Sequence, residues 1–257
     1  MSLPVGRLAR IDRFPVKSIG GETLDRVTLT AGEALPGDRR YGVLHRDSLR
    51  HLEDGALQKW LPKSAFLRGA SGPELQAIRG GWDEDGRLHL THPDAAPLAV
   101  DPETPEGEAA LLAWLAPLWA PAGKAAPARL VAGPLPLTDV KKPWISLLSL
   151  SSLRDLEARL GRPLGTDRWR GNLWVDGWPP GAERDLRLHS IRIGGAMFQA
   201  TERIDRCPAT SVDTATGQLD GDMPAELEAQ FDHHDFGIYL RVVEGGPIAL
   251  GDPVAVL

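Results

Sequence analysis

Apolar residues alternate with polar residues over several short stretches of the chain, which is the pattern of half-buried β-strands. The alternation covers residues 5–14 and 22–30, and short apolar runs recur at 41–45, 88–90 and 98–100. Towards the carboxyl end, residues 188–200 have the pattern of a hairpin that turns at Gly194-Gly195, and residues 238–243 and 254–257 form further strand candidates. We therefore predict many short strands grouped into barrels.

Three stretches have the wider apolar spacing of helices. The first begins at Thr104-Pro105-Glu106, which supplies a cap, a proline at the first helical position and an acid in the first turn. The second covers residues 150–160 between Ser149 and Gly161, and the third covers residues 223–231. The amino terminus of the second helix, with its neighbouring serines, is either an ordinary cap or a seat for a phosphate.

Composition supports a β-rich fold and narrows the possible functions. The chain has 257 residues with 22 prolines and 28 glycines, so it contains many turns and short elements. Its net charge of −6 argues against electrostatic binding of nucleic acid. A single cysteine excludes an internal disulfide and a protein-held iron–sulfur cluster. Without a signal-peptide core or a membrane-length apolar run, we expect a cytoplasmic protein.

The only cysteine, Cys207, lies in the polar stretch of residues 202–217 beside Arg206 and Arg203. Neighbouring positive charge favours the thiolate, the form that attacks electrophiles or binds soft metals. A single cysteine can also be a small buried apolar residue without chemistry. Pro208 and the polar turn at residues 213–217 favour a cysteine on a shaped loop instead.

A second cluster of polar residues precedes the predicted strand at residues 173–175. Two arginines flank Trp169, an arrangement suited to a flat anionic ligand. Arg170 and Asn172 are two positions apart, so we predict that they share one face of a strand and contact one ligand together.

Five motifs, in order along the chain, resemble those of MOSC-domain proteins, a family related to the carboxyl-terminal domain of molybdenum-cofactor sulfurase and to the mitochondrial amidoxime-reducing component. The signature Arg206-Cys207-x-x-Thr210-Ser211-Val212-Asp213-x-x-Thr216-Gly217 is the most specific of them. The other four are Phe14-Pro15-Val16-Lys17-Ser18, Gly37-Asp38-Arg39-Arg40-Tyr41, Trp169-Arg170-Gly171-Asn172-Leu173 and Gly246-Pro247-Ile248-Ala249-Leu250-Gly251-Asp252-Pro253-Val254.

This resemblance implies a mainly β fold with a few helices (α+β) and two β-barrel-like lobes. Residues 1–120 would form an N-terminal MOSC β-barrel domain and residues 121–257 the MOSC domain. It also implies a molybdenum cofactor, Mo-molybdopterin, with Cys207 as both metal ligand and catalytic residue; at family level it further implies pyridoxal phosphate binding. The residues that would hold the phosphate and the pterin are Lys17, Ser18, Arg39, Arg170, Asn172, Arg206 and Thr210.

The implied activity is reduction of small N-hydroxylated or N-oxide substrates. Because the chain has no second cofactor motif, the electrons would come from a separate flavin, haem or iron–sulfur protein. The alternative is a carrier or transferase in which Cys207 holds a persulfide for molybdenum-cofactor maturation. A third possibility is a non-enzymatic module that stores the cofactor.

Three departures from the family pattern leave parts of the site open. Trp60-Leu61-Pro62-Lys63 replaces an expected threonine-rich strand, so the residues that recognise the substrate there can differ. Lys141-Lys142 replaces small polar residues, and Ile204 stands where many relatives have another cysteine.

Overall fold

The computed structural model describes residues 3–257, and these residues form sixteen strands and three α-helices. The strands are β1 (Gly6–Arg13), β2 (Glu22–Thr23), β3 (Arg26–Leu29), β4 (Tyr41–His45), β5 (Leu88–His92), β6 (Ala95–Val100), β7 (Pro127–Ala132), β8 (Ile145–Ser149), β9 (Leu173–Asp176), β10 (Ser190–Ile193), β11 (Ala196–Asp205), β12 (Val212–Asp213), β13 (Gln218–Leu219), β14 (Asp235–Glu244), β15 (Gly246–Ala249) and β16 (Pro253–Val256). The helices are α1 (Pro105–Trp119), α2 (Leu150–Leu160) and α3 (Met223–Phe231). The prediction of a mainly β fold with a few helices is confirmed.

Seven strands close into a barrel in the order β16, β10, β11, β14, β8, β9 and β1, and β1 pairs back onto β16. Only the β8–β9 pair is parallel. Inward-facing positions alternate with outward-facing positions along each strand, and the inward-facing side chains form an apolar core. Closure of the barrel pairs both edges of each of these seven strands. Its core contains fully buried Leu8, Ile11, Leu147, Phe198 and Leu240.

The remaining strands of the amino-terminal half form smaller pairings around a second core. Strand β4 pairs with β7, β5 pairs with β6, and α1 packs against these strands through Leu111, Leu115 and Trp119. Strand β3 pairs with β15 near the carboxyl end.

Strands from each half of the sequence pair across the predicted domain boundary at residues 120 and 121. Strand β1 is part of the closed barrel, where it lies between β9 and β16, while β7 pairs with β4. The boundary remains a prediction. Because β1 belongs to the barrel, the loop that follows it leads out of the barrel and into the second core.

The helix ends follow the sequence signals. The Thr104 hydroxyl accepts a hydrogen bond from Gly107 N, and the Ser149 hydroxyl accepts one from Ser152 N. Gly161 ends α2 with a left-handed φ of 66°. The predicted hairpin is also present, because Ile193 pairs with Ala196 across Gly194-Gly195. None of the helices described between residues 3 and 257 combines the length with the apolar character that a membrane span requires.

Candidate functional site

A cavity of about 400 Å³ opens between the end of the closed barrel and the amino-terminal half of the chain. Its wall includes all eight residues selected from the sequence, although they come from four separate segments. They are Lys17, Ser18, Arg39, Arg170, Asn172, Arg206, Cys207 and Thr210. Their convergence is a property of the fold; the ligand roles assigned to them remain predictions.

Cys207 follows β11 and begins a tight turn, the 3-10 helix Pro208–Ser211. Its thiol is free and partly exposed in the cavity. The Cys207 carbonyl accepts hydrogen bonds from Thr210 N at 3.0 Å and from Thr210 Oγ1 at 2.8 Å. Thr210 is buried, so its hydroxyl shapes the turn that presents the cysteine.

Arg206 lies beside Cys207 and directs its guanidinium into the protein. Nε donates to Phe236 O at 2.8 Å, Nη1 donates to Trp169 O at 2.9 Å, and the group lies over the Trp169 ring. Burial lowers the pKa of Arg206 to about 10, although the nearby Tyr239 and Cys207 groups favour the charged form. Its hydrogen-bond partners are neutral carbonyls.

Arg170 and Arg39 surround the ring of Phe14. Their Cζ atoms lie 4.3 and 4.6 Å from the ring centroid. Arg170 donates to Gly20 O at 2.7 Å and to Val16 O, while Arg39 pairs with Asp38 at 2.6 Å and donates to the Arg170 carbonyl. Burial, followed by repulsion from Arg39, lowers the pKa of Arg170 to about 9.

Three cavity residues have left-handed backbones without being glycine. The φ angles are 63° at Ser18, 47° at Arg39 and 47° at Arg170. This conformation costs roughly 1–2 kcal/mol per residue for side chains with a Cβ. Strain of this kind is concentrated at functional sites, where the surrounding structure holds it in place.

The expectation that Arg170 and Asn172 share a strand face is wrong. Arg170 ends the 3-10 helix Asp167–Trp169, and β9 begins only at Leu173. Asn172 is buried, and its amide joins Ser146 to the backbone of Asp12. It lines the cavity but also ties β8 to β1.

A carboxylate that the sequence analysis did not single out neutralises two lysines at the cavity wall. Asp139 lies 2.7 Å from Lys17 Nζ and 3.3 Å from Lys63 Nζ. Burial opposes ionisation of Asp139, but attraction to Lys17 and then Lys63 outweighs it and lowers its pKa to about 2. Burial lowers the pKa of Lys17. Lys63 belongs to the segment that departs from the family pattern. That departure was the one feature of the sequence that could have indicated this ion-pair cluster.

The two central arginines are left without an acidic partner. Within residues 3–257, no carboxylate oxygen lies within 4.0 Å of Arg170 or Arg206 in an ion pair, whereas the neighbouring Arg168 is paired with Asp220 at 2.7 Å. Both arginines are partly buried, and a charge withdrawn from water without a counter-ion is costly. The cavity therefore has a positive excess that favours an anionic ligand.

Metal binding in this part of the molecule would depend on few protein donors. Among the described residues, no group of three or more His, Cys, Asp and Glu side chains lies together in a metal-binding arrangement. Cys207 is the soft donor in the cavity. The residues thus fit a metal that arrives with ligands of its own.

The start of α2 lies apart from this cavity. Ser149 is fully buried and caps the helix, and Ser152 donates to Glu183 at 2.8 Å. The serines of this turn are absent from the cavity wall, which agrees with ordinary capping. Lys141 and Lys142 are exposed and also lie outside the wall.

Two family models match successive parts of the chain. The MOSC N-terminal beta barrel domain matches residues 5–124, and the MOSC domain matches residues 138–255. The two matches together cover most of the chain.

Curated relatives match over a shorter region. Mitochondrial amidoxime reducing component 2 from Bos taurus is 29% identical over 122 residues, and that from Rattus norvegicus is 30% identical over 122 residues. Mitochondrial amidoxime-reducing component 1 from Mus musculus is 29% identical over 123 residues. Each match covers 43% of this chain and 36% of the relative.

Solved structures show weaker likeness. The YUAD protein from Bacillus subtilis aligns over 99% of this chain and 96% of its own, with 12% identity and a TM-score of 0.47. YiiM from Geobacillus stearothermophilus aligns over 44% of this chain and 53% of its own, with 23% identity and a TM-score of 0.36.

Proposed function

We propose, from the premise that this chain belongs to the MOSC family, that it is a molybdenum-cofactor-binding oxidoreductase acting on N-hydroxylated or N-oxide small molecules. The names of its relatives support this class of substrate. The proposal concerns the cavity around Cys207.

The observation that carries the proposal is the pair of partly buried arginines without acidic partners, Arg170 and Arg206. An anion that accepted hydrogen bonds from them would offset the cost of keeping both charged. Guanidinium groups suit a phosphate because their planar donors bind two oxygens at once. The aromatic groups of Trp144, Trp169 and Tyr239 line the same cavity, which suits a flat pterin.

Cys207 would be the protein ligand of the metal. A thiolate is a soft ligand of the kind that transition metals accept, and the remaining metal ligands would belong to the cofactor. When bound, the cofactor supplies two-electron oxygen-atom transfer chemistry. Lys17, Ser18, Arg39 and Asn172 would hold its phosphate and pterin, while Thr210 would fix the turn at Cys207.

The phenol of Tyr239 is a proton donor at the cavity wall. Burial raises its pKa, against the attraction of Arg206, so the phenol stays protonated at neutral pH. A protonated phenol can donate a hydrogen bond to a substrate oxygen.

A separate protein would deliver the electrons. The sequence holds one cysteine, so the chain cannot ligate its own iron–sulfur cluster, and we propose a flavin, haem or iron–sulfur donor. Binding of pyridoxal phosphate remains a family-level prediction.

The test is elemental and pterin analysis of protein made in a molybdenum-replete host, with Cys207→Ala and Cys207→Ser beside wild type. We expect wild type to hold molybdenum and pterin in a ratio near one, and both variants to lose the metal while keeping the thermal midpoint of cofactor-free wild type. Full molybdenum occupancy in Cys207→Ala would refute the ligand role. Cyanide-releasable sulfur on metal-free wild type would instead support the persulfide carrier.

Turnover separates an enzyme from a storage module. Molybdenum-loaded wild type should reduce benzamidoxime with an artificial reductant, and Cys207→Ala should not. A loaded protein without turnover on benzamidoxime or on an N-oxide would contradict the reductase.

A further inference from the structure

A second cavity, of about 410 Å³, lies behind the wall of the first. Trp169 lines the first cavity and Phe236 lines the second, and their rings stack with centroids 4.0 Å apart. The second cavity lies between the face of α2, the segment at residues 180–184 and the start of β14. Its volume is in the range of small-molecule sites.

Most charges around this second cavity are already paired. Arg159 Nε lies 2.9 Å from Asp155, and Arg184 Nη2 lies 3.2 Å from Asp235. Burial lowers the pKa of His233, and the nearby Arg184 lowers it further, so this imidazole is neutral at neutral pH. After these pairs, one acidic group remains.

That group is Glu183, whose residue is only 2% exposed. Its Oε2 accepts a hydrogen bond from Ser152 Oγ at 2.8 Å, and Gly181 N donates to the same hydroxyl at 2.9 Å, which orients the serine proton towards the carboxyl. Within residues 3–257, no Lys, Arg or His nitrogen lies within 4.0 Å of this carboxyl in an ion pair. A buried carboxylate without a cation is unfavourable, so a cation bound beside Glu183 would stabilise its charged form.

The remaining wall is apolar and aromatic. Phe231 and His233 stack with centroids 5.8 Å apart and an interplanar angle of 17°, and Phe236 is buried beside them. Arg159 covers the Phe231 ring at 4.8 Å. Such walls bind an apolar body while a single polar group fixes its orientation.

We propose that this second cavity binds a small organic amine carrying one positive charge, with its ammonium on Glu183 and its apolar body against Phe231, His233 and Phe236. The site is distinct from the cysteine cavity and takes a ligand of opposite charge. It goes beyond the proposed function and does not require the cofactor.

If the amine binds at Glu183, its binding to the wild-type protein should be coupled to the release of protons. Burial raises the pKa of Glu183 against the effect of the Ser152 hydrogen bond, and Asp185 raises it further. An ammonium stabilises the carboxylate, so binding releases a proton from any fraction that is protonated, and affinity rises with pH through that pKa. The charged and titratable groups that face the site are Asp155, Arg159, Arg184, Asp185, His233 and Asp235.

The experiment is calorimetric titration with phenethylamine and with its neutral isostere 2-phenylethanol, each in two buffers of different ionisation enthalpy at pH 5, 6 and 7. We expect the amine to bind more tightly than the alcohol and to release protons on binding, with less release as pH rises. Equal affinity for both compounds, or no detectable amine binding, would overturn the proposal.

Two variants test whether Glu183 is the carboxylate that binds the amine. Glu183→Gln keeps the shape and the acceptor for Ser152, and we expect it to weaken phenethylamine by about tenfold while leaving 2-phenylethanol unchanged. Asp185→Asn removes the same formal charge from a side chain that is 82% exposed, so it should change amine affinity by less than about threefold because solvent screens it. Equal effects of the two variants would mean that general negative charge, not Glu183, attracts the amine.

Discussion

Arg170 and Arg168 lie two positions apart at the same cavity, but of the two only Arg168 is paired with a carboxylate, so replacing each by methionine should change stability by different amounts. At 1.36 kcal/mol per pH unit, lowering the pKa of Arg170 from 12.5 to about 9 corresponds to about 4–5 kcal/mol against the charged form. For a base with a lowered folded pKa, this cost is fully present below pH 9 and is relieved only as pH rises towards 12.5.

Arg170→Met removes that cost together with two hydrogen bonds to carbonyls, which contribute about 1.5–3 kcal/mol each. The two effects offset each other, so the cofactor-free variant should be within about 1 kcal/mol of wild type. Arg168→Met instead leaves Asp220 and the Leu164 carbonyl without their partner, and it should cost about 3 kcal/mol.

The assay is urea unfolding of cofactor-free protein at pH 7, with and without inorganic pyrophosphate, against sodium chloride of equal ionic strength. A ligand at one hundred times its Kd stabilises the folded state by about 2.7 kcal/mol, and we expect Arg170→Met to lose most of that gain. If Arg170→Met destabilised the free protein as much as Arg168→Met and still gained fully from pyrophosphate, the view of Arg170 as an anion-binding charge would be refuted.

Substitutions at three further positions test local features of the cavity. Thr210→Val should lower the free energy of unfolding by about 1 kcal/mol, since one hydrogen bond to the Cys207 carbonyl is lost; an unchanged urea midpoint would contradict this. Wild type should lose stability relative to Asp139→Asn as pH falls from 3.8 towards 2, because the carboxylate bound to Lys17 becomes protonated; a pH-independent difference in thermal midpoint would exclude that ion pair. Ser18→Gly should be more stable than Ser18→Ala by about 1 kcal/mol in chemical unfolding, because only glycine is unstrained at a φ of 63°, and equal stabilities would argue against that backbone.

The sequence predicted those parts of the fold that depend on residues close together in the chain. The caps at Thr104 and Ser149 define helix starts because a side-chain oxygen binds an amide within the same turn. The Gly194-Gly195 hairpin is equally local. The prediction failed at Arg170 because alternation assumes an extended backbone, whereas Arg170 ends a 3-10 turn with a left-handed φ of 47°.

The charge balance of the cavity could not be predicted, because it depends on which distant residues meet. Asp139 lies in a proline-containing connection and carries no motif, but folding places it between Lys17 and Lys63. Glu183 was equally inconspicuous in the sequence. Composition gives a net charge of −6 and indicates neither the cationic cavity nor the anionic one behind it.

Closure of the barrel by β1 explains why motifs far apart in the sequence meet at one cavity. Strand β1 pairs with β9, which brings the loop after β1, with Phe14 and Lys17, next to the segment before β9, with Arg170 and Asn172. The contact between these segments is direct, since Arg170 donates to the carbonyls of Val16 and Gly20. An amino-terminal barrel that folded without β1 could not place Lys17 beside Arg170. The cysteine cavity therefore depends on the pairing of β1 within the barrel, and neither half alone contains all the residues that line it.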